Sequence, residues 1–264
     1  MVRKSFLAAV AIGALLLAGC ASPSSDRDAA GVGATACTDA ANWMGCMFTQ
    51  GKLPITALSM PGSHDAATYA ISSDSEYANG CGTVPSSIPK GITAKWAKTQ
   101  DGNMGKQAAN GSRYFDIRTY WDGSNTLSTC HTLSGASFAD AMGINSDFQK
   151  FARSHPNEIF ILDIQQFFAE TGDPSSELRK ESLRNWIDAE LGDIVVKRAS
   201  VDQKLQDVTL ASMRASNRNV IVLTRDDFAI SQTQWPRGTN LYSEWQDDSD
   251  AAKTFWWVGT DSTN

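Results

Sequence analysis

Glu158-Ile159-Phe160-Ile161-Leu162-Asp163-Ile164-Gln165-Gln166-Phe167-Phe168 is the stretch that decides the fold. Its apolar residues are nearly continuous rather than alternating, the pattern of a strand buried on both faces. Similar short apolar runs at 55–60, 112–120, 127–131, 220–224, 240–245 and 254–258 bring the predicted strands to seven. The first ends in the turn Pro61-Gly62-Ser63. Between the third and fourth, 137–154 carries Phe138, Met142, Phe148 and Phe151 and reads as one helix closed by His155-Pro156. Between the fourth and fifth, 175–191 places Leu178, Leu183, Trp186, Ile187 and Leu191 at helical spacing. Strands alternating with helices predict an α/β fold with a parallel sheet covered on both faces. Seven strand segments favour a distorted or incomplete TIM-type (β/α) barrel over an open sheet.

Outside that pattern the chain divides into three parts. Residues 1–19 combine the basic pair Arg3 and Lys4 with an apolar run too short to span a bilayer. They close on Leu17-Ala18-Gly19-Cys20, which resembles the lipobox of bacterial lipoproteins, where the peptide is cut before a cysteine that becomes lipidated. Export is therefore expected, as a cell-envelope lipoprotein anchored through Cys20 or as a secreted protein. Residues 20–36 are Ser, Ala, Asp and Gly with almost no large apolar side chain, and read as a flexible tether. Residues 37–264 are predicted to form the barrel domain.

Composition removes several classes of function. With 23 basic and 29 acidic residues the net charge is −6 and no basic run is long, so nucleic acid is not an expected partner. Apart from Cys20, four cysteines remain: Cys37, Cys46, Cys81 and Cys130. An even number in an oxidising compartment predicts two disulfides, with three pairings open. None of the four has the close spacing of a zinc knuckle.

Two of the three histidines stand at predicted strand ends. His64 follows the first strand in Pro61-Gly62-Ser63-His64-Asp65, and His131 ends the third in Thr129-Cys130-His131. Carboxyl ends of barrel strands are where active sites collect. In Arg113-Tyr114-Phe115-Asp116-Ile117-Arg118, alternation puts Tyr114, Asp116, Arg118 and Tyr120 on one face and Arg113, Phe115 and Ile117 on the other. Alone, Asp116 and Arg118 would read as a buried ion pair. Beside two histidines they read as a fixed cation and its orienting carboxylate. Two imidazoles can serve as base and acid near neutral pH, and a guanidinium matches phosphate oxygens. The set suits cleavage of a phosphodiester by a hydroxyl within the substrate, with no metal needed.

These segments also resemble the bacterial phosphatidylinositol-specific phospholipases C. The likeness runs through Asn42-Trp43-Met44, Leu53-Pro54-Ile55, Met60-Pro61-Gly62-Ser63-His64-Asp65, Lys98-Thr99-Gln100, Gly111-Ser112-Arg113-Tyr114-Phe115-Asp116-Ile117-Arg118, His131 and His155-Pro156-Asn157-Glu158-Ile159. The resemblance implies the fold of that phosphodiesterase family and a monomer acting on a phospholipid membrane without a cofactor. It implies that His64 takes the proton of the inositol 2-hydroxyl, that Arg118, held by Asp116, stabilises the phosphoryl oxygens, and that His131, aided by Asp65, protonates the departing diacylglycerol. The product would be inositol 1,2-cyclic phosphate, with Arg118 where eukaryotic relatives place calcium.

Substrate contacts implied in the same way are Arg225 on the fifth strand, Glu244 on the sixth and Gln165 on the fourth, the last standing where the family has lysine. The carboxylate that supports the base would come from a late strand, where Asp261 is the nearest acid. His155 and most of the eight tryptophans read as structural. Asp163 interrupts an apolar strand and requires a buried partner, either structural or part of the site. Two other functions stay open: a silent binder of inositol lipids or glycans, and a cyclising phosphodiesterase for another phospholipid.

Overall fold

The computed structural model describes residues 37–121, 126–169, 177–225 and 228–237. The lipobox and tether, the strands expected at 240–245 and 254–258, Glu244 and Asp261 lie outside them. Among the described residues seven strands form one sheet: β1 (Gly62–Ser63), β2 (Tyr114–Trp121), β3 (Leu127–His131), β4 (Leu133–Ser137), β5 (Phe160–Ala169), β6 (Val220–Thr224) and β7 (Trp235–Pro236). The helices are α1 (Trp43–Met47), α2 (Lys90–Ala97), α3 (Met104–Ala109), α4 (Phe138–Met142), α5 (Asp147–Ser154), α6 (Glu177–Glu190) and α7 (Leu210–Ser216).

Strand order is β4-β3-β2-β5-β6-β7, with β1 also on β2. The β1, β5, β6 and β7 pairings are parallel, as a barrel requires. The β3–β4 hairpin is antiparallel and makes the sheet mixed. On one edge of β2 the short β1 pairs with Tyr114 and Phe115, and β3 takes over at Thr119–Trp121. That succession brings the His64 turn and the His131 hairpin to the same edge. Among the described residues the barrel is open, which fits the distorted (β/α) barrel expected from the sequence.

The two sheet faces differ as the alternation requires. Phe115, Ile117, Phe160, Leu162, Ile164, Val220 and Val222 pack outward against Met104 of α3, Phe138 and Met142 of α4, Phe148 of α5 and Leu183 and Ile187 of α6. The inner face is apolar at the strands' amino ends, where Ile161, Ile221, Leu223 and Trp235 meet Met44, Ile55, Leu205 and Leu210. Farther along the same face the residues are Asp116, Arg118 and Asp163. The interior thus turns from oily to charged in the direction of the strands.

Two local expectations need correction, and one strand adds to those expected. The segment 55–60 is not a strand: Ile55–Ala57 is a 3-10 turn, and Ile55 N–H donates to the Val208 carbonyl instead of to the sheet. Pro54 and Pro61 bracket the segment without amide hydrogens, and the strand begins only at Gly62. The single helix expected over 137–154 is two helices. It breaks at Gly143, where Ser146 starts a new N-cap by accepting from the Gln149 amide. Strand β4 has no counterpart among the predicted strands, because Leu-Ser-Gly-Ala-Ser carries no apolar alternation.

Both disulfides form, as Cys37–Cys46 and Cys81–Cys130. His155 caps α5, as expected, with its ring stacked on Phe151 at a centroid distance of 3.9 Å.

Candidate active site

The turn after β1 wraps around Asp116. Its Oδ2 accepts from His64 Nδ1 at 2.9 Å and from the Asp65 amide at 3.2 Å, while its main-chain carbonyl accepts from the Ala66 amide at 2.9 Å. Asp65 has a φ of 45°, a left-handed conformation uncommon for a side-chain-bearing residue outside Asn and Asp. Thr99 Oγ1 and Gln100 Nε2 donate to the His64 carbonyl at 2.9 and 3.0 Å, which gives the Lys98-Thr99-Gln100 segment its task.

Asp65 is the hub. Its Oδ2 lies 3.2 Å from His64 Nε2 and 3.4 Å from His131 Nδ1, and its Oδ1 lies 2.9 Å from Arg118 Nε. His131 Nδ1 also donates to the Ala97 carbonyl at the end of α2, at 2.9 Å. That bond fixes the proton on Nδ1 and leaves Nε2 for chemistry. The three side chains around it keep 30, 26 and 28% of their surface exposed (His64, Arg118 and His131), whereas Asp65 has none. Both Asp65 oxygens and Arg118 Nε are buried, and none makes a well-aligned hydrogen bond. They attract each other as charges without being saturated.

The electrostatics follow from burial. Asp65 is pushed above the ordinary carboxylate range by burial and by the charge of Asp116, against the pull of Arg118, His64 and His131. For His64, burial acts downward, but the Asp116 hydrogen bond and the charges of Asp65 and Asp116 outweigh it and lift the imidazole above 6.5.

The five residues expected to carry chemistry, His64, Asp65, Asp116, Arg118 and His131, are therefore brought together. Their pairing differs from expectation. Arg118 is held by Asp65, not by Asp116, because Asp116 lies beneath the His64 turn and spends its oxygen there. For the same reason the carboxylate on His64 comes from β2; Asp261 lies outside the described residues.

The expected substrate contacts fare less well. Gln165 follows Asp163 on the inner phase of β5, at a register shift opposite Ile117 and Arg118. Arg225 turns the other way: its guanidinium stacks on Phe228, 5.7 Å from the ring centre, on the helix-covered side with Phe167 and Leu183. The residues missed in the sequence are Tyr114, whose hydroxyl donates to Asp163, and Arg237, whose Nε lies 3.2 Å from Asp163 Oδ2. Asp163 pairs in register with Asp116. Burial, opposed by Arg237 and Tyr114, raises its pKa to about 6. Its interruption of an apolar strand was the available signal; Arg237 gave none.

Among the described residues, the ligating atoms of His64, Asp65 and Asp116 are close enough to hold a metal, all within 4.8 Å of one another. The Arg118 guanidinium already stands against that group.

No protein-family model matches the chain. It is similar to PI-PLC X domain-containing proteins. One from Dictyostelium discoideum is 50% identical over 78 residues, 29% of this chain and 13% of that protein. PI-PLC X domain-containing protein 3 of Danio rerio is 26% identical over 225 residues, covering 81% of this chain and 66% of the relative. The chain thus spans less than two thirds of either. Among solved structures, a phosphatidylinositol-specific phospholipase C of Staphylococcus aureus superposes with a TM-score of 0.51 at 18% identity, over 71% of this chain and 53% of that one. The fold is that of the bacterial phospholipase's TIM-type barrel in a distorted form, open among the described residues.

Proposed function

We propose that the protein cleaves the phosphodiester of phosphatidylinositol-type lipids, including glycosylated forms, by internal cyclisation. The observation that carries this reading is the convergence of two imidazoles and one guanidinium on the buried carboxylate of Asp65. His64, with Nδ1–H committed to Asp116, offers Nε2 as base to the 2-hydroxyl of the inositol, which takes over the place of the 3.2 Å contact with Asp65 Oδ2. As that oxygen bonds to phosphorus, the bond from phosphorus to the glycerol oxygen breaks. His131 Nε2–H then supplies the proton that the leaving diacylglycerol needs. The two histidines finish with their protonation states exchanged, and water can run the sequence backwards on the cyclic phosphate. Arg118 answers the charge gathering on the phosphoryl oxygens, in the place a divalent ion would otherwise fill.

The rim of the site suits a lipid surface. On α2, whose last carbonyl holds His131, Ile92 and Trp96 lie one turn apart and exposed, Trp96 at 61%, with Lys90 and the exposed Tyr77 beside them. Exposed apolar side chains beside a lysine suit an anionic bilayer interface. Among the described residues no helix is long and apolar enough to cross a membrane. Anchoring at Cys20 and export belong to the same proposal, supported by the lipobox and by two disulfides.

The test is phosphorus NMR of the product from phosphatidylinositol vesicles with and without chelator. Inositol 1,2-cyclic phosphate formed at an unchanged rate is the expected result. An acyclic phosphate as first product, or a rate abolished by chelator, overturns the mechanism. Gln165 in place of lysine and Arg225 turned toward Phe228 favour a second reading, a cyclising enzyme for another phospholipid; a lipid panel in the same assay separates the two.

A further inference from the structure

We infer that the Cys81–Cys130 disulfide positions His131 for proton delivery, a role that rests on the reaction proposed above. Cys130 immediately precedes His131 at the end of β3. The imidazole itself is held by the Ala97 carbonyl and Asp65, so its aim depends on where the backbone of β3 ends. Little sheet holds that end: β3 meets β2 at only Thr119–Trp121, and β4 is the edge strand. A strap supplies what the sheet does not. Along 76–82 the chain follows the hairpin turn: Ser134 N–H donates to the Glu76 carbonyl at 2.8 Å, Ala78 N–H to Thr132 at 3.0 Å, and Thr132 N–H to the Cys81 carbonyl.

Thr132, the residue after His131, is forced into a left-handed φ of 64°. Across from it Gly82, at φ 108°, sits so close that a Cβ would lie 2.6 Å from Thr132 Oγ1. The disulfide locks this approach and is itself buried with Ala78 and Tyr120. The strap then leads into α2, which carries the Ala97 carbonyl. The end of β3 and the Ala97 carbonyl are therefore both tied to one covalent bond. The Cys37–Cys46 bridge joins residues nine apart, the second of them within α1, and provides a control.

The experiment compares the C81S/C130S and C37S/C46S variants on two substrates. One is phosphatidylinositol, whose alkoxide must be protonated to leave; the other is inositol 1-(4-nitrophenyl phosphate), whose phenolate leaves unaided. C81S/C130S is expected to lose roughly tenfold or more in kcat on the lipid, with KM unchanged and the aryl ester within about threefold of wild type. C37S/C46S should keep the wild-type ratio. Should the first variant not fold, Gly82→Ala, which presses on Thr132 with the disulfide intact, should give the same selective loss. Equal losses on both substrates, or no loss on either, overturn the inference. A wild type inactive on both condemns the proposed reaction instead. In that event nitrogen NMR of the His131 ring decides positioning alone: loss of the Nδ1–H form in C81S/C130S supports it, and unchanged shifts overturn it.

Discussion

Arg113, immediately before β2, and Arg118 within it stand five residues apart, and each faces a buried carboxylate. Arg113 is fully enclosed: Nε and Nη2 donate to Glu158 at 2.9 and 2.6 Å, Nη1 to the carbonyls of Ala108 and Ser112, and Nη2 again to Ala40 and Ala41. Glu158 in turn accepts from the amides of Met44 and Gly45. Every donor is spent, and the pair clasps the amino-terminal segment to the barrel floor. Arg118 has one close carboxylate contact, keeps part of its surface open, and shares its partner with two histidines. A saturated ion pair has nothing left to offer a substrate. An unsaturated one, built at a cost in desolvation, does.

The sharpest break between the two regions comes from His64→Ala and His131→Ala. Each is expected to lower kcat on phosphatidylinositol by 10²- to 10⁴-fold, the usual worth of a placed acid or base, with stability changed by about 1 kcal/mol or less. Urea titration beside the rate measurement checks both halves; unaltered turnover would remove the assigned roles.

Glu158→Gln should do the reverse. Leaving Arg113 buried without its counter-charge is expected to lower stability by about 3–5 kcal/mol, while kcat/KM of the folded fraction holds. A rate that falls in proportion at full folding would show that the clasp reaches the site.

Asp116→Asn tests the polar region from within. The Asp116 bond and charge help lift His64 above 6.5. Since the base works deprotonated, kcat/KM of the wild type should fall as pH drops through that raised value. Removing the charge should move this acidic limb to lower pH and cut the rate at pH 7 by about a hundredfold. An unmoved limb would mean that another group sets it.

How much of this could be read from the chain depends on what each residue type signals. The β5 and β6 runs were legible because strands buried on both faces are almost continuously apolar, and the faces of β2 because a pleated strand alternates its side chains. So were His64 and His131, whose strand-end places coincide with the motif. Partnership was not legible: alternation says that Asp116 and Arg118 share a face, not that the left-handed turn at Asp65 slips a second carboxylate between them. The first strand was misplaced because proline removes donors without changing hydropathy. Arg237 follows the two-residue strand Trp235–Pro236, too short to carry any period. Arg225 shows the converse failure, since strand phase ends with the strand and its side chain takes the direction that Phe228 offers.

Asp163 lies between the two kinds of site and gives the smallest expected effect. One of its oxygens is answered by Tyr114 and Arg237, while Oδ1 is buried with no hydrogen-bond partner among the described residues. Its pKa of about 6 against an ordinary 3.8 means that the folded state holds this proton more tightly than the unfolded chain. Between these values the folded state binds more protons, so the group's contribution is largest at acid pH and is lost as pH rises toward 6. For the wild type this amounts to about 2 kcal/mol between pH 4.5 and 6.5. In Asp163→Asn the amide oxygen can still accept from Tyr114, but nothing titrates. The stability difference between wild type and variant should therefore drift by that amount toward the variant as pH rises. Guanidinium denaturation at the two pH values measures it. A constant difference would mean that Arg237 neutralises the carboxylate fully, placing Asp163 with the saturated pair at Arg113 rather than with the open charges around Asp65.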